Sequence, residues 1–261
     1  MERRRVDTLL AERGLAPSRT SAAASVRAGR VRVGRGGERA SKPGQMIAAD
    51  AELELEGPPR FVSRGGIKLE NALAALSVSV KGRDCLNAGA STGGFTDCLL
   101  RHGARRVIAL DVAHGQLDWG LRQDERVHVI ERANARDLDS STLPWQPSLI
   151  TVDVSFIALR KVLPALAVSA SADGELLALV KPQFELGRDR VGRGGVVRDP
   201  ADRREAVLVV ARAAQEIGLA VLGFAPSGLP GPKGNLETFV HLARAGEGIA
   251  DLEAAIAEQD V

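Results

Sequence analysis

The chain has 261 residues, 44% of them hydrophobic and 26% charged, with a net charge of only +2. Such a length holds one large domain and a small one, and the composition is that of a folded globular protein. No run of about eighteen apolar residues occurs, so no transmembrane helix is expected, and the basic start Met1-Glu-Arg-Arg-Arg-Val6 lacks the apolar stretch of a secretion signal.

The near-neutral total hides an asymmetry. Residues 1–42 carry eleven Lys and Arg against four Asp and Glu, so a basic head precedes a mildly acidic body. A head of that kind is suited to a polyanion. Aromatics make up 3% and Tyr is absent, which favours recognition of backbone charge and shape over base stacking. Cys85 and Cys98 match no zinc spacing; they read as buried free thiols of a cytoplasmic protein, and no metal is expected.

In chain order, Val6, Leu9 and Leu10 recur at helical spacing up to Gly14. Ser18 is placed to cap a second helix whose inner face holds Ala22 and Val26, and Gly29 stops it. Val31–Val33 alternates like a strand, Gly34 to Gly37 turn the chain, and Ala51–Leu55 alternates again. Gly57-Pro58-Pro59 signals a linker, which sets boundaries of 1–56 for the head, 57–63 for the linker and 64–261 for the body. In the body, strands are expected near 84–88, 107–111, 127–131, 149–153, 175–180, 220–225 and 237–243. Helices are expected near 64–78, 95–102, 116–122, 158–168 and 201–217, with a last short one over 251–258. This alternation predicts an α/β fold with a mostly parallel, Rossmann-like seven-stranded sheet. Pro182 to Pro200 reads as a mobile loop over the strand ends.

The stretch Cys85-Leu-Asn-Ala-Gly-Ala-Ser-Thr-Gly-Gly-Phe-Thr96 reads as strand, glycine-rich turn and helix. Such a turn lets backbone approach a nucleotide-like cofactor and aims helix N–H groups at it. Asp111 ends the next strand, 22 residues after Gly89, where a carboxylate can accept from a ribose diol. This pair alone leaves a dinucleotide, a nucleotide and S-adenosylmethionine open. Asp153 and Lys181 follow apolar strand runs, Glu237 begins the last strand, and Lys68 lies at the start of the helix before the first strand. All four are placed to reach the carboxyl edge of the sheet, where open α/β sheets hold their sites; each taken singly is also a plausible structural ion pair.

Two resemblances sharpen this. Ser18-Arg19, Ala28-Gly-Arg-Val-Arg-Val33 and Lys42-Pro-Gly44 resemble the S-four-like RNA-binding module. Carried over, its RNA contacts are Arg19, Arg27, Arg30 and Arg32, with Arg64 joining them from the segment before the first helix of the body. Lys68, Asp153, Lys181 and Glu237 resemble the Lys-Asp-Lys-Glu tetrad of ribose 2′-O-methyltransferases of the RrmJ/FtsJ type. More closely, the chain resembles the TlyA (haemolysin A) family of ribosomal-RNA 2′-O-methyltransferases. The motifs are Val62-Ser-Arg-Gly-Gly-Ile-Lys-Leu69, Gly89–Thr96, Gly115-Gln-Leu117, Asn134-Ala-Arg136, Asp153-Val-Ser-Phe-Ile157, Leu179-Val-Lys-Pro-Gln-Phe-Glu185, Gly194-Gly-Val-Val197 and Pro230-Gly-Pro-Lys-Gly-Asn235.

The resemblance implies a class I methyltransferase domain that uses S-adenosyl-L-methionine. Gly89, Ala90, Ser91, Thr92, Gly93, Gly94 and Phe95 would hold the methionine part, Asp111 the ribose, and Asn134 with Ala135 the adenine. It implies a methylated cytidine 2′-hydroxyl in ribosomal RNA of the small or large subunit, ribosomal subunits as partners, no membrane, and a monomer. Lys181 is the candidate base; a lysine with an ordinary pKa of about 10.4 would need like-charge help from Lys68 against Asp153 and Glu237, and otherwise serves by stabilising the alkoxide. Two departures stand out. Asn87 occupies the place of an Asp that is common at the end of the first strand and is expected near the cofactor's ammonium group; His114 stands where the family often has Tyr and is a candidate to stack on the adenosine. Competing readings are a catalytically weak RNA-binding ribosome factor, motivated by Asn87, and a nicotinamide-dependent dehydrogenase, which fits the glycine turn and Asp111 but not the tetrad.

Overall fold

The computed structural model describes residues 2–57 and 59–259. The chain divides after Pro59 into two compact units, Met1–Pro59 and Arg60–Val261.

In the first unit, β1 (Arg3–Arg5) leads into α1 (Val6–Glu12), followed by α2 (Arg19–Arg27), β2 (Val31–Val33), β3 (Met46–Ala48) and β4 (Leu53–Leu55). Ser18 caps α2 by accepting from the Ser21 N–H at 3.2 Å, which satisfies one of the free donors of the first turn. Val6, Leu9, Leu10, Ala22, Val26, Val31 and Ile47 close a small core. β2 pairs antiparallel with β4, and β1 with β3. The β1–β3 pair has no sequence signature: Arg3–Arg5 shows no apolar alternation, and its partner lies more than forty residues away, at Met46–Ala48.

The second unit runs α3 (Gly65–Ala75), β5 (Asp84–Ala88), α4 (Gly94–Arg101), β6 (Arg106–Asp111), α5 (Trp119–Gln123), β7 (Val127–Glu131), β8 (Leu149–Val152), α6 (Leu163–Ser169), β9 (Glu175–Val180), α7 (Pro182–Glu185), α8 (Pro200–Glu216), β10 (Ala220–Pro226), β11 (Thr238–Ala243) and α9 (Leu252–Ala257). The seven strands are ordered β10-β11-β9-β8-β5-β6-β7. β5 to β9 pair in parallel, whereas β11 is antiparallel to both its neighbours. This is the Rossmann-like methyltransferase sheet. The inserted antiparallel strand separates it from the dinucleotide-binding order, whose sixth strand is the last. Every residue of β5 is buried, as a central parallel strand with helices on both faces requires. Large buried clusters occupy the two faces, one around Leu86, Ile108, Ile150, Leu166 and Val210, the other around Leu69, Cys98, Leu99, Val107 and Phe239.

Two sequence expectations change. Residues 60–63, read as the end of a linker, pack onto the second unit: Phe61 is buried, and a Cβ on Gly66 would lie 2.3 Å from its ring. The segment from Pro182 to Pro200 is not wholly irregular, because α7 forms directly after β9 with Pro182 at its first position, where a missing N–H costs nothing. Both cysteines are free and buried, and burial pushes both thiols well above their ordinary range.

Candidate active site

The chain leaves β5 for β6 and β7 on one side and returns to β8 and β9 on the other, so β5 and β8 form the switch point where such sheets hold ligands. There the turn after β5 meets the end of β8. Gly89 has φ +85°, and a Cβ on it would lie 2.4 Å from the Asp153 carbonyl oxygen. Only glycine lets these two backbones approach so closely. At the next corner, a Cβ on Gly94 would lie 2.2 Å from Ser63 Oγ, so the start of α4 abuts the segment leading into α3. Asp97 fixes that contact by accepting from the Val62 N–H at 2.9 Å and from Arg101 at 2.7 Å.

A cleft of about 760 Å³ opens at this edge. Gly89, Ala90, Ser91, Thr92, Gly94 and Phe95 line one wall, and Lys68, Asp153, Lys181 and Glu237 line the same space. The four ionisable side chains come from four segments and form two ion pairs. Lys68 Nζ lies 2.5 Å from Glu237 Oε2, and Lys181 Nζ lies 2.6 Å from Asp153 Oδ1. Lys181 Nζ also donates to Ser155 Oγ at 2.9 Å. Lys68, Lys181 and Glu237 are buried, while Asp153 is partly open to the cleft. Charges this deep persist only when matched, and each lysine has its own carboxylate. Gly231 seals Glu237 from the far side: a Cβ there would lie 2.4 Å from Glu237 Oε1.

The remaining expected residues divide. Arg64 lines the cleft and donates to the Pro230 carbonyl at 2.7 Å. Gly93 turns its back on the cleft and packs on Leu117 and Leu121. Asn87 lies outside the cleft lining; it is fully buried, donates to Thr96 Oγ1 at 3.1 Å and accepts from Thr151 Oγ1 at 3.4 Å. Its amide therefore ties β5 to α4 and β8. Asp111 accepts from the N–H groups of Ser91 and Ala113, both at 2.7 Å, and borders a crevice of about 10 Å³, room for one water at most. His114 is exposed and sits 3.6 Å from Glu131. Asn134 accepts from the Arg136 N–H, and Ala135 is buried in the core.

In the first unit, Arg27 is exposed and carries no ion pair among the described residues. Arg30 donates to Ser25 Oγ at 2.7 Å. Arg19 shares Asp7 with Arg5, and Arg32 is spent on Glu56 at 2.8 Å. The Arg5 guanidinium, helped by Arg19, holds the buried Asp7 carboxyl down to about 2.

Other cleft residues carried no role in the sequence reading. Ser155, Phe156, Gln183, Phe184, Lys233 and Asn235 all line the space. Phe156 is 92% exposed at φ +62° and packs its ring 5.3 Å from that of Phe184. An exposed aromatic in the left-handed region is costly and is tolerated at functional sites. Asn235 is buried and bridges two loops, accepting from the Val197 N–H at 2.9 Å and donating to the Gly195 carbonyl at 2.8 Å. The signal for Ser155 and Phe156 was their place directly after Asp153; Asn235 had none beyond its motif.

The model of the FtsJ-like methyltransferase family matches residues 61–244, and that of the S4 domain matches residues 4–53. The chain is 50% identical over 242 residues to a protein of Mycobacterium tuberculosis (strain ATCC 25618 / H37Rv) named 16S/23S rRNA (cytidine-2′-O)-methyltransferase TlyA, covering 92% of this chain and 90% of that one. It is 37% identical over 238 residues to Hemolysin A of Brachyspira hyodysenteriae, covering 91% and 98%. A solved structure of a hemolysin-named protein from Streptococcus thermophilus superposes with a TM-score of 0.74 at 41% identity, covering 99% of this chain and 96% of that one. The chain belongs to the FtsJ-like methyltransferases and, within them, to the TlyA (haemolysin A) family that carries an S4 domain.

Proposed function

We propose that this protein transfers a methyl group from S-adenosylmethionine to the 2′-hydroxyl of a cytidine in ribosomal RNA. The observation that carries the reading is the convergence of Lys68, Asp153, Lys181 and Glu237 as two ion pairs in the cleft beside the glycine turn. The residues present suit the cofactor: Gly89 and Gly94 let the turn close onto Asp153 and Ser63, and its small residues border a cleft with the volume of a ligand site. S-adenosylmethionine, when bound, supplies a sulfonium methyl that needs no further activation.

The protein's part is then to place one ribose oxygen and manage one proton. Placement against the turn removes a large share of the barrier. Lys181 Nζ, held by Asp153 and Ser155, is the group that meets the hydroxyl, and Lys68 with Glu237 fixes the adjoining wall. In this reading Asp111 serves the ribose, Asn134 and Ala135 the adenine, and residues 1–56 grip RNA through Arg27, Arg30 and Arg19 ahead of residues 64–261. The M. tuberculosis relative's name covers both subunits' RNA, and we carry that dual choice over, with the reaction taking place in the cytoplasm.

The test is tritium transfer from labelled S-adenosylmethionine to ribosomal subunits, paired with calorimetry. Lys181→Ala is expected to bind the cofactor with unchanged affinity and to lose methyl transfer by at least 100-fold, in the range that general acid–base or electrostatic groups supply. Full transfer by that variant removes Lys181 from the mechanism. The reading as a non-catalytic factor predicts ribosome binding with no transfer at saturating cofactor; its motive was Asn87, whose amide faces Thr96 and Thr151.

A further inference from the structure

A second cavity, of about 620 Å³, opens beside the catalytic cleft. The two share Phe156, Gln183 and Phe184, so they adjoin along these residues. Their charge differs in kind. In the cleft, each tetrad lysine is matched by a carboxylate. The second cavity is lined by Arg136, Arg160 and Lys161 and by no acidic residue. Arg136 pairs, among the described residues, with the exposed Asp137 at 3.2 Å, and Arg160 donates to the Glu185 carbonyl at 3.2 Å with the buried carboxylate 3.9 Å away. Lys161 is exposed and has no ion pair among the described residues. At the junction, Gln183 Oε1 is buried without a hydrogen-bond partner. Buried acceptors are normally satisfied, so this one marks a place where a donor is wanted.

We infer that this basic groove is the exit path of the RNA strand that carries the target ribose, with Arg160 and Lys161 holding the phosphates of neighbouring nucleotides. The inference rests on the reading of the cleft as a ribose methylation site. A ribose seated at Lys181 continues on both sides into phosphates, and the second cavity, which adjoins the cleft at Gln183 and Phe184, offers three cations and no anion. The cations lie on two short 3-10 turns, Ala135–Asp137 and Leu159–Lys161, which leave their side chains facing the groove. Protein matched in this way to a single strand binds through backbone charge, so its contribution is sequence-independent and salt-dependent.

The experiment measures steady-state methylation of ribosomal subunits by the full chain at several salt concentrations. For Arg160→Ala/Lys161→Ala, KM for the subunits is expected to rise at least tenfold with kcat within twofold and cofactor affinity unchanged by calorimetry. The slope of log KM against log salt is expected to fall by about 1.4, from about 0.7 per single-strand phosphate contact. Lys161→Ala alone, which removes no side-chain hydrogen bond or ion pair among the described residues, is expected to lower the slope by about 0.7. Unchanged KM and slope in both variants overturn the groove and leave the cleft reading intact. If the wild-type chain transfers no methyl group, the cleft reading fails instead. The hold of Arg160 and Lys161 on RNA phosphates is then judged separately, by anisotropy of a dye-labelled single-stranded RNA on the same variants, where an unchanged salt slope overturns it and a lowered one upholds it.

Discussion

At the scale of single residues, the site depends on contacts too close to tolerate change. Gly89 combines a positive φ with a virtual Cβ 2.4 Å from the Asp153 carbonyl, so Gly89→Ala has neither the conformation nor the space. It is expected to lower stability by about 1–3 kcal/mol, read as a fall in thermal midpoint, and to weaken cofactor binding in calorimetry, because the turn must move off β8. Ser155 offers Lys181 Nζ its hydroxyl oxygen at 2.9 Å. Losing one such bond to a charged donor costs about 1.5 kcal/mol, which is about tenfold in rate. Ser155→Ala is therefore expected to lower kcat about tenfold at unchanged KM for the cofactor; an unaltered kcat would show that Asp153 alone positions the lysine.

At the scale of elements, two carboxylates join neighbouring segments and titrate with opposite sign. Asp84 opens β5, and hydrogen bonds from Arg105, just before β6, and from Arg106 at its start hold it down to about 2. A depressed folded value means that this stability is fully present above the unfolded value of about 3.9 and is lost as pH falls through about 2. Asp84→Asn is expected to lower the thermal midpoint at pH 7 and to flatten its decline between pH 4 and pH 2. Glu185 ends α7, accepts from the Leu159 N–H at 2.7 Å and leaves its other oxygen buried without a hydrogen-bond partner, 3.9 Å from Arg160. Burial pushes it up to about 7. The folded state therefore holds the proton longer than the unfolded one, and stability declines as pH rises from about 4.3 through 7. Glu185→Gln keeps the acceptor for Leu159 and is expected to melt higher than the wild type at pH 8 and equally at pH 4. A difference of the same size at both values would mean that the carboxylate's charge is not what burial penalises.

At the scale of the whole molecule, the two units carry different charge. The first holds eleven of the chain's 35 Lys and Arg within its first 42 residues; Arg5 and Arg19 share the single carboxylate of Asp7, which leaves a net positive charge there, and Arg32 pairs with Glu56. The first unit's net positive charge, and separately the cations of the second unit's groove with Arg64 and Lys233 of its cleft, are each suited to a polyanion. Binding to ribosomal subunits is expected to weaken by at least tenfold between about 50 and 200 mM salt, measured by filter binding with unlabelled protein as competitor. Arg27→Ala is expected to weaken it at all salt concentrations, whereas Arg32→Ala acts through its lost pair with Glu56 and shows in the thermal midpoint.

The sequence by itself determined the second unit almost strand for strand, since central strands such as Val107–Leu110 and Leu176–Val180 are unbroken apolar runs closed by Asp111 and Lys181. It also named the tetrad of the cleft: Asp153, Lys181 and Glu237 each follow or precede an apolar strand run, and Lys68 stands near the start of the helix before the first strand of the sheet. Only the tertiary structure decided which lysine meets which carboxylate. Lys68 and Glu237 stand 169 positions apart, and β11 brings them together by entering antiparallel beside β9. The same holds for Arg3–Arg5, a strand only because Met46–Ala48 pairs with it, and for the groove, where residues 136, 160 and 183 become neighbours. Local periodicity records which face of a segment is buried; it holds nothing about the partner that buries it, which is set by strand order and by where loops end in space.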